Sequence, residues 1–231
     1  MIAAHKIIVA LDTQDPEKLK ALFESLKGHP VWVKIGMEVF YSLGEKAINQ
    51  AKDNGFKVFL DLKLHDIPNT VGQAMKSLSR LSIDMVNIHA AGGSEMMKRA
   101  GDGIRSGATP PLLIAVTQLT STTQEQMQSE QRISGELLES VVNYAKLAKE
   151  SGCDGVVSSP LEVQAIKLIC GSRFLTVTPG IRPQGANLQD QKRVTTPMDA
   201  LHLGSDFMVI GRPITESENP RASLEKILRG E

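Results

Sequence analysis

The sequence predicts an α/β protein, a single (β/α)8 TIM barrel whose one domain spans residues 1–231. Eight short apolar segments alternate with amphipathic segments, as buried parallel strands alternate with helices. The chain is also long enough for eight such units. A doubly wound open sheet is the competing fold. Its glycine-rich first turn is missing here, because the first apolar segment leads into Leu-Asp-Thr-Gln-Asp.

Each predicted strand is a short run that is mostly β-branched or large and apolar, as expected for a strand buried on both faces. Parallel neighbours need a crossover connection, and the intervals between the runs leave room for a helix in each. The predicted strands are residues 6–12, 31–37, 57–63, 85–90, 111–119, 155–159, 174–180 and 207–213.

Helical segments fill the intervals. Pro16, flanked by Asp15 and Glu17, marks the start of the first helix, which extends to about residue 27 before Gly28. Glycine follows four later helices, where a left-handed residue commonly ends a helix. Those other helices are predicted at residues 43–53, 71–81, 94–105, 136–150, 161–169, 198–203 and 222–228.

Two predicted connections are long, residues 120–134 and 182–197. Both follow strands on the face where barrels of this type hold their active sites, and long loops there often cover or bind a ligand. The polar stretch at residues 121–131 is predicted to be a solvated loop or a short helix.

Composition excludes several classes of function. Lys and Arg total 26 and Asp and Glu total 26, so there is no basic excess for nucleic acid or an anionic membrane. No apolar run approaches the length of a membrane span, and the first residues lack the features of a signal peptide. Cys153 and Cys170 have no metal-site spacing, which predicts free thiols in a reducing cytoplasm.

Charged residues interrupt the third predicted strand in the stretch FLDLKLHDIPNT. Strand side chains alternate between faces, so Asp61 and Lys63 are predicted to point into the barrel while the leucines between them face the helices. Asp12 and Lys34 have the same phase on the first two strands. These four charges are expected to meet at the carboxyl end of the barrel, either as a salt-bridge cluster or as a catalytic site.

A second candidate site follows the last two strands, in TPGIRP and IGRP. The loops after strands seven and eight are the usual phosphate site of these barrels. Gly211 lets backbone N–H groups approach an anion, and Arg212 is suited to bind it through its guanidinium. Gln191 lies in the long loop and is a further candidate. A plain surface turn is the alternative for the Gly-Arg-Pro stretch at residues 211–213.

Other polar residues have less distinctive patterns. His65 is predicted to support the loop after the third strand rather than to transfer protons, and His89 to pack or form a hydrogen bond at the carboxyl end of the fourth strand. No His, Asp or Glu set has the spacing of a metal site. The sequence also lacks a Gly-x-Ser-x-Gly nucleophile elbow.

Taken in order, the motifs resemble those of the orotidine 5'-phosphate decarboxylases. The most specific is Asp61-x-Lys63-x-x-Asp66-Ile-Pro-Asn-Thr70, and the others are VALD, VKIG, VTQLTS, TPGIR and IGRPI. The resemblance covers nearly the whole chain. It implies a (β/α)8 barrel, a homodimer with shared active sites, and conversion of orotidine 5'-phosphate to UMP and CO2 without a metal or organic cofactor.

The resemblance also implies residue roles. The catalytic residues would be Lys63, which protonates C6 of the pyrimidine, together with Asp61, Lys34 and Asp66. Asp66, with Ile67 and Thr70, would reach into the active site of the partner subunit. The strand pattern without the resemblance had instead placed all of the charges at the carboxyl end of one barrel. The implied substrate contacts are Asp12, Lys34, Asp61, Ile67, Thr70, Thr120, Arg182, Gln191, Gly211 and Arg212.

Two alternatives remain open at this stage. Metal-dependent sugar-phosphate decarboxylases and aldolase-like synthases of the same superfamily also use an Asp-x-Lys block, but His-Asp-Ile-Pro-Asn-Thr follows it here rather than an acidic pattern. A barrel that only binds a phosphate ligand is the non-enzymatic alternative.

Overall fold

Eight parallel strands form a closed barrel within the described residues, and β8 pairs with β1 to complete the ring. The structure is a computed structural model that describes residues 1–183 and 195–231. The predicted fold class is confirmed. The strands are β1 Ile7–Leu11, β2 Trp32–Gly36, β3 Lys57–Leu64, β4 Met85–His89, β5 Leu112–Val116, β6 Gly155–Val157, β7 Leu175–Thr178 and β8 Phe207–Ile210.

Helices surround the barrel, and most begin at or near the predicted positions. Asp15 caps the first one, since its Oδ1 accepts a hydrogen bond from the Glu17 N–H over 2.9 Å. The helices are α1 Pro16–Leu26, α2 Met37–Leu43, α3 Glu45–Asp53, α4 Pro68–Leu78, α5 Gly93–Ile104, α6 Gln124–Ser129, α7 Leu137–Glu150, α8 Val163–Cys170, α9 Pro197–His202, α10 Arg212–Thr215 and α11 Pro220–Arg229.

Seven of the eight predicted strands extend too far at the carboxyl side, and only the third, which ends at Leu64, was predicted one residue too short. β2 ends at Gly36 and leads directly into α2, a helix that the sequence analysis missed. β8 ends at Ile210, and Arg212 begins α10. At the barrel mouth the apolar run continues after the chain has left the sheet, so apolar composition alone does not show where a strand ends. The 121–131 stretch contains a short helix, whose capping box joins Thr123 and Gln126.

Apolar side chains form two layers. The smaller layer fills the barrel interior, and Phe59 from β3 belongs to it. The larger layer lies between the barrel and the helices, and Leu60 and Leu62 belong to it. The predicted alternation of β3 is therefore confirmed from Phe59 to Leu62. The interior layer consists of Ile8, Ala10, Trp32, Phe59, Met85, Ile114, Val177 and Val209.

Three aspartates tie neighbouring strands together at the amino-terminal end of the barrel. Asp84, Asp154 and Asp206 each precede a strand and accept a hydrogen bond over 2.8 Å from a backbone N–H of the preceding strand. Lys167 also contacts Asp206, with Nζ 2.6 Å from Oδ2. Stabilising contacts at this end leave the opposite end for the functional site.

Helices α4 and α5 approach closely through glycines. A Cβ added to Gly103 would collide with the carbonyl oxygen of Gly72 and would lie 3.0 Å from Cβ of Met75. Only a residue without a side chain fits this crossing. The contact matters for the site, because α4 begins directly after the Asp66 loop.

Candidate active site

Two adjoining cavities occupy the carboxyl end of the barrel. The first has a volume of about 250 Å³ and is lined by Asp61, Lys63 and Thr120 together with valines of the barrel wall. The second has a volume of about 580 Å³ and is lined by Asp12 and by residues that follow β7 and β8. Lys34 lines both, so together they form one elongated site with two chemically different halves.

The four predicted charges meet in an alternating array. Lys34 Nζ lies 3.2 Å from Asp12 Oδ1 and 3.3 Å from Asp61 Oδ2. Lys63 Nζ lies 2.6 Å from Asp61 Oδ1. Asp61 is the most enclosed member, with 9% of its side chain exposed, whereas Asp12 is 52% exposed. The predicted convergence of these four residues is confirmed.

Neighbouring charges favour the ionised forms of Asp61 and Lys34 despite the burial of both side chains. For Asp61, burial acts to raise the pKa, but Lys34, Lys63 and the hydrogen bonds from Lys63 and Asn87 outweigh it, so the pKa lies below its usual range. For Lys34, burial acts to lower the pKa, but Asp61 and Asp12 outweigh it, so the pKa lies above its usual range. Each charge depends on its neighbours, as is common at catalytic sites.

Lys63 reaches Asp61 through an irregularity of β3, which the sequence analysis missed. Leu60 pairs with Val86 but Leu64 pairs with Ile88, so four steps along β3 correspond to two along β4. Lys63 has a φ of 51°, in the left-handed region that costs a non-glycine residue about 1–2 kcal/mol. Alternation therefore predicts correctly that Asp61 and Lys63 both face the first cavity, but it does not predict the backbone conformation of Lys63.

Asn87 of β4 is a site residue that the sequence analysis missed. Its Nδ2 donates to Asp61 Oδ1 over 2.6 Å, and its Oδ1 accepts from the Lys63 N–H over 2.8 Å. Asn87 is fully buried. A signal was present, since Asn87 lies two residues after the inward-facing Met85 in an otherwise apolar strand.

The first cavity combines an apolar wall with polar groups from the loop after β5. Thr120 lines it. Gln118, which the sequence analysis did not select, also lines it, and its Nε2 donates to Ser140 Oγ over 3.2 Å. The apolar wall is formed by Phe59, Val116, Val157, Val177 and Val209.

The second cavity contains most of the predicted phosphate residues. Gly211, Arg212 and Arg182 line it. Arg182 is buried, and its Nη1 donates to the Ile181 carbonyl over 3.0 Å. Gln191 lies outside the described residues.

Asp66, Ile67 and Thr70 do not line either cavity of their own barrel. All three are exposed, and 66% of the Ile67 surface is accessible. Asp66 Oδ1 accepts a hydrogen bond from the Ile67 N–H over 2.6 Å. The structure therefore does not bring Asp66 into the array formed by Asp12, Lys34, Asp61 and Lys63.

Within residues 1–183 and 195–231, no three His, Cys, Asp or Glu side chains are grouped as a metal site would require. Cys153 and Cys170 are buried free thiols, as predicted, and burial raises the pKa of Cys153 to about 12. No helix in the described part of the chain has the length and apolarity needed to cross a bilayer.

Comparison with known proteins identifies the family. A family model described as Orotidine 5'-phosphate decarboxylase / HUMPS family matches residues 5–227. The chain belongs to this family. It is 55% identical over 220 residues to the orotidine 5'-phosphate decarboxylase of Staphylococcus saprophyticus, with 95% of each chain covered. It is 53% identical over 220 residues to that of Staphylococcus aureus strain Newman, again with 95% of each covered.

Solved structures of family-like barrels agree in fold. Orotidine 5'-phosphate decarboxylase from Lactobacillus acidophilus superposes with a TM-score of 0.85 at 43% identity, covering 96% of this chain and 97% of that one. An uncharacterized conserved protein from Geobacillus kaustophilus superposes with a TM-score of 0.86 at 44% identity, covering 96% and 98%. The resemblance noted from the motifs is therefore confirmed at the level of the family.

Proposed function

We propose that this protein is an orotidine 5'-phosphate decarboxylase that forms UMP and CO2, the last step of UMP synthesis, without a metal or organic cofactor. The observation that carries the proposal is the array in which Asp61 lies between Lys34 and Lys63 at one end of an elongated site. Relatives more than half identical to this chain have that name. We take residues 1–231 as one barrel domain that acts in the cytoplasm on a small molecule rather than on nucleic acid or membrane.

The two cavities suit the two ends of a nucleotide. In our proposal the pyrimidine lies in the first cavity, against its valine wall and beside Thr120. The phosphate lies in the second, bound by Arg212, Gly211 and the nearby Arg182. We assign Gln191 to phosphate binding as well. Asp12 and Lys34 bind the ribose, which lies between the pyrimidine and the phosphate.

Decarboxylation leaves negative charge on C6, a carbon with no attached electron sink. Lys63 places an ammonium next to Asp61, with 2.6 Å between Nζ and Oδ1, where it stabilises that charge and then donates a proton to C6. Because the charges are fixed before the reaction, they need no reorganisation as charge develops. This preorganised field is the main catalytic contribution in our proposal.

Asp61 acts on the departing group. A substrate carboxylate held about 4 Å from it is repelled by roughly 4 kcal/mol at an effective dielectric near 20. Loss of CO2 removes that repulsion. Before CO2 is lost, the binding energy of the phosphate in the second cavity holds the substrate in place against this repulsion.

We further propose a homodimer whose sites are shared, with Asp66, Ile67 and Thr70 reaching into the partner's barrel. Two observations support it. The three residues are exposed and line neither cavity of their own barrel. Large apolar side chains are also exposed in the segments that follow β2 and β3, as at an interaction surface; they are Met37, Tyr41 and Ile67.

Complementation tests the shared site. Lys63→Ala and Asp66→Asn homodimers are each expected to be inactive. After mixing and subunit exchange, half of the dimers are mixed and each has one intact site, so about a quarter of wild-type activity should return. No recovery, with exchange verified by mass spectrometry, would refute the shared site while leaving the decarboxylase assignment intact.

The reaction itself is tested by following the absorbance loss of orotidine 5'-phosphate with and without EDTA. We expect stoichiometric UMP and CO2 and an unchanged rate in EDTA. A rate abolished by EDTA and restored by Mg²⁺ would favour the metal-dependent sugar-phosphate enzymes instead. Tight UMP binding without CO2 release would indicate a binding protein.

A further inference from the structure

Asn87 is a fully buried amide in the middle of β4. A buried amide is costly unless its polar atoms are hydrogen-bonded. Its Nδ2 donates to Asp61 Oδ1 over 2.6 Å, and its Oδ1 accepts from the Lys63 N–H over 2.8 Å. One side chain on β4 therefore holds two residues of β3 that the proposed reaction requires.

The contact with Lys63 is made at the irregular part of β3. In a regular parallel pair, a strand N–H donates to a carbonyl of its neighbour. The register shift between Leu60 and Leu64 interrupts that pattern, and the Asn87 carboxamide oxygen accepts the Lys63 N–H instead. This bond fixes the backbone where Lys63 has a φ of 51°. It thereby fixes the direction in which the ammonium leaves the strand.

The contact with Asp61 sets the orientation of the carboxylate. Asp61 Oδ1 accepts from both Lys63 Nζ and Asn87 Nδ2, each over 2.6 Å. Asp61 Oδ2 faces Lys34 Nζ at 3.3 Å. Donors on both oxygens leave the carboxylate plane little freedom to rotate.

We propose that Asn87 is a positioning residue for the decarboxylation, acting through the Asp61 carboxylate and the Lys63 backbone. This role rests on the proposed function and adds to it a residue that does not line either cavity. Its effect is on the placement of the charges and not on the binding of the nucleotide. It should therefore appear in kcat more than in KM.

The first test is Asn87→Ala. A misplacement of about 1 Å can cost roughly 100-fold in rate, so kcat for orotidine 5'-phosphate should fall about 30- to 100-fold. KM and the Kd for UMP should change less than about threefold, because the groups proposed to bind phosphate and ribose are untouched. Hydrogen exchange of the Lys63 amide, read by mass spectrometry or NMR, should accelerate more than tenfold.

Thr176→Ala is the matched control. Thr176 is also fully buried in a barrel strand, but its hydroxyl donates to Asp206 Oδ2 over 3.0 Å, at the opposite end of the barrel. This variant should lose stability and keep wild-type kcat. A loss of kcat as large as that of Asn87→Ala would overturn the role of Asn87, because general loosening of the barrel would then explain both.

Asn87→Asp tests the positioning role of Asn87 even if the alanine variant does not fold. The new carboxylate still accepts the Lys63 N–H, but when ionised it repels Asp61 and when protonated it donates to Asp61 as the amide does. The ratio of its kcat to that of the wild type should rise as the pH falls through the pKa of the new carboxyl group, so it is measured across the whole pH range in which both proteins stay folded. A merely structural substitution would give a ratio independent of pH.

Two results would overturn the proposal while leaving the decarboxylase assignment intact. These are a kcat of folded Asn87→Ala within threefold of wild type, and a kcat ratio of Asn87→Asp that does not change with pH. Wild-type protein that leaves orotidine 5'-phosphate unchanged would overturn both the proposed function and this role within it. Turnover by the wild-type protein therefore distinguishes a failure of the proposed function from a failure of the role of Asn87.

Discussion

Asp61→Asn removes the anion that lies between Lys34 and Lys63, with almost no change in side-chain shape. At an effective dielectric near 20, its contacts of 2.6 Å to Lys63 and 3.3 Å to Lys34 correspond to gross attractions of about 6 and 5 kcal/mol. Desolvation of the buried carboxylate offsets much of this, so the net contribution is far smaller. The substitution also leaves two cations close together without their shared partner.

Removing one partner of a buried ion pair typically costs about 3–5 kcal/mol. Both lysines retain some contact with water, with 12% and 26% of their side chains exposed, so we expect the lower end of that range. For a chain of this size, about 3 kcal/mol corresponds to a decrease in Tm of roughly 6–12 °C. Loss of a preorganised charge should also lower kcat by about 100- to 1,000-fold.

The assays are thermal unfolding and turnover of orotidine 5'-phosphate, with UMP affinity measured in parallel. UMP has no carboxylate to be repelled, so its Kd should change little. Asp206→Asn is the control, since Asp206 also lies 2.6 Å from a lysine but at the other end of the barrel; it should lower Tm and spare kcat. An Asp61→Asn protein with wild-type Tm and kcat within tenfold of wild type would refute the reasoning.

Three further predictions concern other parts of the molecule. Arg212→Ala should raise KM about 10- to 100-fold through loss of a charged hydrogen bond, with a smaller effect on orotidine; equal effects on both substrates would contradict the phosphate role. The pKa of His89 lies below its ordinary value of 6.5 because of burial, His65 and Lys63, which outweigh the opposing effect of Asp61. The free energy of unfolding should therefore fall as the pH drops from about 6.5 through the pKa of His89 in the folded protein. His89→Gln should flatten Tm in that pH range, and an unchanged pH profile would count against it. Gly103→Ala should destabilise the protein by about 1–3 kcal/mol, because the new methyl group collides with α4. Gly101→Ala is the control and should be nearly neutral, because its methyl group meets chiefly the flexible end of Arg105. Equal Tm values for the two variants would contradict this prediction.

Much of the barrel and its charged mouth was predictable from local pattern. Alternation along β3 separated Asp61 from Leu60 and Leu62, because a strand buried on both faces keeps its period of two. The same phase on the first two strands brought Asp12 and Lys34 to the same end. These predictions needed only strand geometry and the common direction of parallel strands.

The remaining features depend on contacts between distant parts of the chain. The conformation of Lys63 follows from a register shift against β4 and from a bond to Asn87, which no local pattern in FLDLKLHDIPNT encodes. Helix α2 was missed because the apolar run of β2 continues across Gly36 into the helix. The role of Asp66 requires a second copy of the chain and remains a prediction.

The most direct test of the account is the turnover of orotidine 5'-phosphate by Lys63→Ala. Loss of the proton donor alone costs about 100- to 10,000-fold, and loss of the preorganised cation adds to this. We therefore predict a folded protein that binds UMP but whose kcat is at least about 10,000-fold below wild type. A kcat within tenfold of the wild-type value would contradict the assignment of Lys63 and the mechanism built on it.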